Sequence, residues 1–461
     1  MGRPESQLEL IFRAGLKRVD PFQMIMDHVQ LLGSILTIDF ENTKKQVDLS
    51  SFSKIFVLGA GKATAPMARA VETLLSDRIS EGVIAVKYGH TEPLQRIEII
   101  ECGHPQPDEK GVEAAIRIMH LARRADADTL VITLISGGGS ALLPMPLRCV
   151  IEGKPVALTL SDKQAVTRAL LKCGADITEI NCIRKHLSAI KGGRLLQCIS
   201  PGTNLSFILS DVVGDDLGSI ASGLTTFDST TYKDALDIIN RYRISGDIPP
   251  RVLAILEAGV RGEVPETLKK GDKILALSEN ILIGTNSLAM QAAGRAARSL
   301  GYGVTFLTSR ITGEAREVAK MFAAIAADVS QGNMLAMKPA CIISGGEPVV
   351  TLKGSGSGGR NQEMALAFLA ELQRYPEHFH GVTFLAASTD GNDGPTLAAG
   401  AFASRELLYL AEKKGLSINA CLDNNDSYHF FEAIDGLLVT GPTNTNVCDL
   451  HILLVEVLGA E

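Results

Sequence analysis

Short, nearly continuous apolar runs that end in glycine recur along this chain, and each gives way to a stretch whose apolar residues repeat at helical spacing. Residues 54–58 read KIFVL and are followed by GAGKATAP and the amphipathic MARAVETLL. The pattern returns in the strand-like GVIAVKYG and RIEIIECGHP, the helical GVEAAIRIMHLARRA, TLVITLISGGGSALL, which runs from strand into glycine turn, and LSFILSDVVGDD, which runs from strand into acidic turn. Such alternation predicts α/β layering around a mainly parallel sheet. A helical arm precedes KIFVL. Between Tyr232 and Gly271 the text turns polar and helical and is broken by Pro249, Pro250 and Pro265, the best place for a domain connection. A second series follows: ILIGTNSLAMQAAGRAARSL, YGVTFLTS, a long helix near 314–329, ACIISGGEPVVTL, the loop GSGSGGRNQE with its helix, and VTFLAASTDGNDGP. The closing GLLVTGPTNTNVCDLHILLVEV reads as two paired strands. The expectation is two layered α/β domains, residues 1–250 and 270–461, with mainly parallel sheets and an active site in the cleft between them.

Composition supports that division. At 461 residues, 46% of them hydrophobic, the chain has apolar material for more than one core. A net charge of -7 argues against a general nucleic-acid binder, so any polyanion site must be local. No apolar run approaches a membrane span, and the first residues read as an amphipathic helix containing acids. A cytoplasmic protein without a membrane partner is therefore expected; oligomeric state is not written in the pattern. The eight cysteines include no C-x-x-C pair and no H-E-x-x-H occurs, which leaves no support for a disulfide frame or a zinc hydrolase.

Ligands of open parallel sheets gather at the carboxyl ends of strands, which places 59–62, 136–140 and 211–216 on one rim and 345–347 and 389–394 on another. GAGKAT is not a P-loop, because Phe56 stands where the first glycine belongs. Nor is it a dinucleotide fingerprint: Thr64 replaces the third glycine and the next strand ends in Lys87. Lys62, beside Gly59 and Gly61 at a helix start, reads equally as a solvated lysine or as a cation for phosphoryl oxygens. Ser136, Gly137, Gly138, Gly139 and Ser140 form a turn suited to close approach of backbone to an anion, with no histidine nearby to make Ser140 a nucleophile. The loop at 354–363 carries Gly358, Gly359, Arg360 and Asn361, and reads as an anion cradle of bare N–H groups with one planar cation, or else as a surface linker. NCIRKHLSAIKGGRL is expected to be one helix with Arg184, Ser188 and Lys191 on a single face and Gly192-Gly193 as its stop; His186 reads as a packed or surface histidine. Asp211 and Asp390 are candidates for Mg²⁺, which takes few carboxylates, while Asp215, Asp216 and Asp393 read as turn formers. Glu347 adds a carboxylate in a further glycine turn.

Taken in order, VLGAGKA, ISGGGSALLP, IRKHLSAIKGGRL, ILSDVVGDD, IASG, SGGEPVVTLKGSGSGGRNQE, STDGNDGPT, NDSYHFF and TNTNVCDLHILL resemble the glycerate 2-kinases that couple an N-terminal glycerate-kinase domain to a C-terminal MOFRL domain. The resemblance covers nearly the whole chain, and the only departure is Leu224, where relatives often carry proline. It implies ATP-dependent phosphorylation of D-glycerate at its 2-hydroxyl, with Mg²⁺ as the metal. It also implies that Lys62 and Arg360 match the family's proposed catalytic lysine and arginine and face each other across the cleft; beside them, Asp211 and Asp390 are the candidates for holding Mg²⁺ or orienting the glycerate hydroxyl, Asp211 being the further catalytic candidate. Relatives named for hydroxypyruvate reduction raise an NAD(P)H-dependent alternative, against which the failed dinucleotide fingerprint counts. A non-catalytic sensor of a small organic acid would need the anion loops but not the lysine, arginine and aspartate set.

Overall fold

The computed structural model describes residues 4–40, 43–332 and 335–457. It contains two compact units, one being Pro21–Ile283 and the other combining the residues up to Asp20 with those from Gly284 onward. Both limits differ from the boundaries expected from sequence. The amphipathic helix α1 (Pro4–Arg18) forms as expected, yet it belongs with the second unit.

In the first unit, the segment read as a helical arm instead holds three antiparallel strands, Val29–Leu32, Ile35–Phe40 and Thr43–Asp48. ILTIDF alternates partly or fully buried with exposed positions toward its end, which a strand accommodates and a helix does not. The main sheet follows from β1 (Lys54–Ala60), α2 (Thr64–Leu75), β2 (Glu81–Lys87), β3 (Ile97–Cys102), α3 (Glu109–Ala122) and β4 (Thr129–Ile135). It continues through α4 (Leu160–Lys172), α5 (Ile177–His186), β5 (Thr203–Leu209) and β6 (Ser278–Gly284). Strand order is β6-β5-β4-β1-β2-β3, with parallel pairing from β5 through β3 as the alternation predicted. β4, TLVITLI, is buried along its whole length, the behaviour of a central parallel strand covered on both faces. Ala60 pairs with Ile135, and Ile135 with Ile208. The turns after β1, β4 and β5 therefore emerge side by side.

The single helix expected over 181–195 is two. A capping box of Asp176 and Glu179 opens α5, which stops at His186, and a short second helix spans Arg194–Ile199. Gly192 and Gly193 break the run with φ of 61° and 80°. A Cβ at Gly193 would lie 2.4 Å from that of Leu268, so the close approach of that segment requires glycine.

The second unit is built from α6 (Asn286–Ser299), β7 (Gly303–Phe306), α7 (Ala315–Gln331), β8 (Ala340–Gly346), α8 (Arg360–Arg374), β9 (Val382–Ser388), β10 (Gly400–Ser404), β11 (Leu437–Leu438) and β12 (Asp449–Val455). Leu8, Ile11 and Phe12 of α1 are fully buried, and α1 packs on α6; each such side chain contributes about 1.5–3 kcal/mol by burial, which ties the chain start to this unit. The sheet order is β7-β8-β12-β9-β10-β11. Only β7 and β8 run parallel; the remaining pairs are antiparallel, so this sheet is mixed rather than mainly parallel. The cause is β12. Expected to pair with its predecessor, DLHILLV instead inserts between β8 and β9, and β11 pairs with β10 at the edge. Its near-unbroken apolar sequence, buried at every position, belongs in a sheet centre.

Candidate functional site

At the rim of the first sheet, Lys62 sits in the turn between β1 and α2. Its N–H donates to Gly137 O at 2.8 Å, and its carbonyl lies 3.1 Å from His90 Nδ1. Ser136 pins the same turn: its Oγ accepts from Ala63 N at 3.0 Å and lies 3.1 Å from Thr64 Oγ1. A Cβ at Gly61, where φ is 149°, would fall 2.0 Å from Ser136 Oγ, and one at Gly59 would strike Leu134 O at 2.5 Å. Those glycines let the two turns touch. Gly137 packs on Asp211, whose Oδ2 would stand 2.1 Å from an added Cβ, and Gly138 packs between the His104 ring and the Lys62 side chain. No acceptor for the Gly137 or Gly138 N–H is found among the described residues. Two bare donors thus remain beside the ammonium.

The electrostatics follow from packing. Burial, with Lys62 and Lys87 adding to it, pushes His104 down to about 4; burial lowers His90 as well. Both imidazoles are neutral near neutral pH and add no charge beside Lys62 and Lys87. Burial raises the carboxyl of Asp211 above its ordinary range, an effect the neighbouring Lys62 ammonium partly offsets. Asp215 and Asp216 behave as turn residues: Asp215 takes φ of 58°, and Asp216 accepts from Ser219 Oγ at 2.6 Å.

Gly139 and Ser140 lead from this cluster to Lys191, whose buried ammonium donates to Ser140 Oγ at 2.6 Å and to Ser140 O. Arg184 and Lys191 do come together, on the wall of a cavity of about 410 Å³, although they do not share one helix face. Ser188 is turned elsewhere and donates to Met145 O at 3.2 Å. His186 is packed, with Nδ1 2.8 Å from Cys182 O and Nε2 3.0 Å from Glu266 Oε1. Arg194 is structural, donating to Lys185 O, Ser188 O, Tyr232 Oη and Pro265 O.

In the second unit Arg360 opens α8. Its Nε donates to Asp449 Oδ2 at 2.5 Å and its Nη2 to Oδ1 at 2.9 Å, while Nη1 lies 3.0 Å from Glu347 Oε1. Burial works against the charge, but the Asp449 carboxylate outweighs it and holds the guanidinium above its ordinary pKa. The glycine loop before it is not the bare cradle that its sequence suggests. Lys353 N and Gly354 N donate to Asn425 Oδ1 at 2.7 and 3.0 Å, Ser355 N to Asn424 Oδ1, Gly356 N to Asn424 O and Ser357 N to Asp426 Oδ1. Acceptors from the NDSYHFF segment and the asparagine before it thus take the N–H groups of residues 353–357. Gly358 packs on Ser427 and Gly359 on Asp393, positions where a Cβ would clash at 2.1 and 2.3 Å. The helix start is occupied as well. Asp393, read as a turn former, is buried and accepts from Asn361 N at 3.1 Å, Asn361 Nδ2 at 3.2 Å and Gln362 N at 2.8 Å. Asp390 has the turn geometry instead, its Oδ1 accepting from Asn392 N at 3.0 Å and Ser388 Oγ at 2.9 Å.

His90, His104, Lys163, Asp393 and Asp449 are the site residues that sequence reasoning missed. His104 follows directly on β3, so the strand-end rule extended one strand further finds it. Lys163 falls on the apolar stripe of α4 with Val166 and Leu170, a placement unusual for a lysine. Asp449 leaves no local signal.

Comparison with known proteins agrees with this architecture. Residues 7–257 match a domain described as a domain of unknown function, DUF4147, and residues 340–449 match the MOFRL family. A glycerate 2-kinase of Pyrococcus horikoshii is 37% identical over 98% of this chain and 97% of its own. A protein of Agrobacterium vitis that carries the provisional name of a hydroxypyruvate reductase is 41% identical over 87% of this chain and 98% of its own. The crystal structure of a glycerate kinase from Thermotoga maritima superposes with a TM-score of 0.83 at 36% identity, covering 98% of this chain and all of that one.

Proposed function

We propose a function from one premise: the chain belongs to the glycerate 2-kinase family, with the DUF4147 and MOFRL domains in that order. The reaction is transfer of the terminal phosphoryl group of ATP to the 2-hydroxyl of D-glycerate, giving 2-phosphoglycerate and ADP. A bond forms between phosphorus and the glycerate oxygen as the bond to the ADP oxygen breaks, and the hydroxyl proton leaves to a base. Such chemistry asks the protein mainly for positioning and charge stabilisation.

The observation that carries this reading is the surroundings of Lys62. Its backbone is clamped by Gly137 and His90, bare N–H groups lie alongside, and the nearby imidazoles are neutral. Lys62 neutralises the transferring group, the Gly137 and Gly138 N–H groups hold its oxygens, and Asp211 orients the hydroxyl and accepts its proton. Gly59, Gly61, Ser136 and Gly139 give that turn its shape, and Arg184, Lys191 and Ser140 serve the nucleotide. Arg360, aimed by Asp449 and Glu347, is the second unit's proposed phosphate-binding cation, with Gly358, Gly359 and Asn361 fixing its helix start.

No group of three or more His, Cys, Asp or Glu suited to a metal occurs among the described residues. That fits Mg²⁺ carried largely on nucleotide phosphates with one or two carboxylates, for which Asp211 in the first unit or Asp390 in the second is the candidate ligand. When bound, the ion neutralises phosphate charge. No helix among the described residues is long and apolar enough to cross a membrane, and a cytoplasmic location is part of the proposal.

The test is ADP release with D-glycerate, with the phosphorylated carbon identified by NMR. Stoichiometric 2-phosphoglycerate is expected. Oxidation of NADH by hydroxypyruvate without ADP release from glycerate would instead establish the reductase.

A further inference from the structure

Within the first unit, α4, α5 and the segments at 105–107 and 140–144 enclose the cavity of about 410 Å³ noted above. Pro107, Val166, Leu170, Ile183 and Leu187 give it an apolar wall. Lys163, Arg168, Arg184 and Lys191 give it four basic side chains, and none of the residues lining it is acidic. A cavity of this size lies in the range of small-molecule sites, roughly 300–1,000 Å³. A three-carbon acid would leave most of it empty and would not use the wall.

The cations lack the carboxylates that ordinarily accompany buried charge. The Lys163 side-chain nitrogen is buried and has no hydrogen-bond partner among the described residues. Its neighbour Asp162 is engaged elsewhere, capping α4 through Thr159 and pairing with Arg251 Nε at 2.9 Å. On α5, Glu179 pairs with Arg241 and accepts from Tyr242 Oη. Among the described residues, the Lys191 ammonium has the two oxygens of Ser140 as acceptors. A lysine so placed gives up its proton readily unless an anion joins it, and an anion entering the cavity favours the charged form. Arg184 adds a planar donor suited to phosphate.

The cavity adjoins the Lys62 cluster along the chain. Ser140 ends the turn whose Gly138 touches Lys62 and His104, and Pro105, directly after His104, also lines the cavity. A ligand with an apolar plate and a chain of anionic groups would lie with the plate on the wall and its last anion at the Lys62 turn.

We propose that this cavity binds the nucleoside diphosphate part of the phosphoryl donor, with the base on the Val166, Leu170 and Ile183 wall and the phosphates on Lys163, Arg184 and Lys191. This assigns nucleotide binding to the DUF4147 unit and makes Lys163 a binding residue. It rests on the kinase reading above.

The test is titration of the full chain with ADP by calorimetry, together with initial rates varied in ATP and in D-glycerate. The variants are Lys163→Met, which removes the charge while keeping bulk; Lys163→Arg, which keeps charge; and Val166→Trp, which fills the apolar side. Lys163→Met is expected to weaken ADP binding by about tenfold or more, the loss of one charge-assisted contact. The apparent KM for ATP should rise in parallel while the KM for glycerate stays within about twofold, and Lys163→Arg should lose less. Val166→Trp should weaken ADP while leaving inorganic diphosphate bound, and thermal melts confirm that each variant folds. If folded Lys163→Met and Val166→Trp bind ADP as the parent does, or raise the KM for glycerate alone, the assignment is overturned while kinase activity of the parent stands. If the parent neither binds ADP nor phosphorylates glycerate, the kinase reading fails and takes this proposal with it.

Discussion

Arg360 and Asp449 meet fork to fork across 89 residues of chain, through Nε–Oδ2 and Nη2–Oδ1 bonds of 2.5 and 2.9 Å. The Asp449 side chain is fully buried, whereas 28% of the arginine side chain is exposed. Removing one partner of a wholly buried pair costs about 3–5 kcal/mol; with the arginine partly solvated, Asp449→Asn should cost about 1–3 kcal/mol. Urea unfolding measures the loss. Turnover should fall with it, because the guanidinium is no longer aimed. An Asp449→Asn protein with unchanged midpoint and rate would show that the pair neither holds the helix start nor orients Arg360.

Lys62→Ala should leave the fold intact. The lysine's structural bonds run through its backbone N–H and carbonyl, which alanine keeps. Turnover should nonetheless fall by about 10²–10³-fold, the range contributed by a single charge stabiliser in an active site. Circular dichroism and a coupled ADP assay check both halves. Near-parental turnover in the folded variant removes Lys62 from the mechanism.

What the sequence disclosed of this site, and what it hid, divides along chain separation. The strand, glycine turn and helix units around Lys62 and Ser136 are local, so residue pattern and the strand-end rule locate them without a structure. Sheet order in the second unit is not local: nothing in DLHILLV says that it will insert between β8 and β9, and its arrival there brings Asp449 to Arg360. The loop at 354–359 departs from a bare cradle for the same reason. The N–H groups of 354–357 are taken by acceptors about seventy residues downstream, among them Asn425 and Asp426. Helix α1 likewise gives its amphipathic pattern away but not the unit on which its apolar face packs.

Gly137 is required by contact rather than by conformation. Its Cβ position lies 2.1 Å from Asp211 Oδ2, and carboxylate oxygen cannot share that space with a methyl group. Gly137→Ala should displace Asp211 and lower turnover by at least about tenfold, while changing stability by about 1–3 kcal/mol as overpacked sites do. Kinetics and urea unfolding on the same preparation separate the two effects. Unaltered kinetics would mean that Asp211 has no fixed place in the reaction.

Burial raises Asp393 to about 7, against the opposing pull of the Gln362 and Asn361 N–H groups. A carboxyl with a folded pKa above its unfolded value binds its proton more tightly in the folded state. Its contribution favours folding most below about pH 4 and is lost as pH rises to about 7, by at most about 4 kcal/mol. Asp393→Asn should flatten that part of the stability profile. Urea midpoints at several pH values across the window give the slope, and an unchanged slope in the variant would assign it to other groups.

Lys163 titrates in the opposite sense. Burial, reinforced by Arg184 and Arg194, depresses its ammonium to about 7, and the adjoining Lys191 is lowered by burial with Lys163 and Arg184. Between about 7 and the ordinary lysine value near 10.4, the unfolded chain holds a proton that folded Lys163 has released. Stability should therefore rise with pH through that window, and Lys163→Met should remove this part of the rise. Nucleotide phosphate in the same cavity favours the charged ammonium, so ADP binding near pH 8 should take up a proton. Calorimetry in two buffers of different ionisation enthalpy reads that uptake directly from the difference in apparent binding heat. The parent should show it and Lys163→Met should show less; equal uptake in both would place the phosphates away from Lys163.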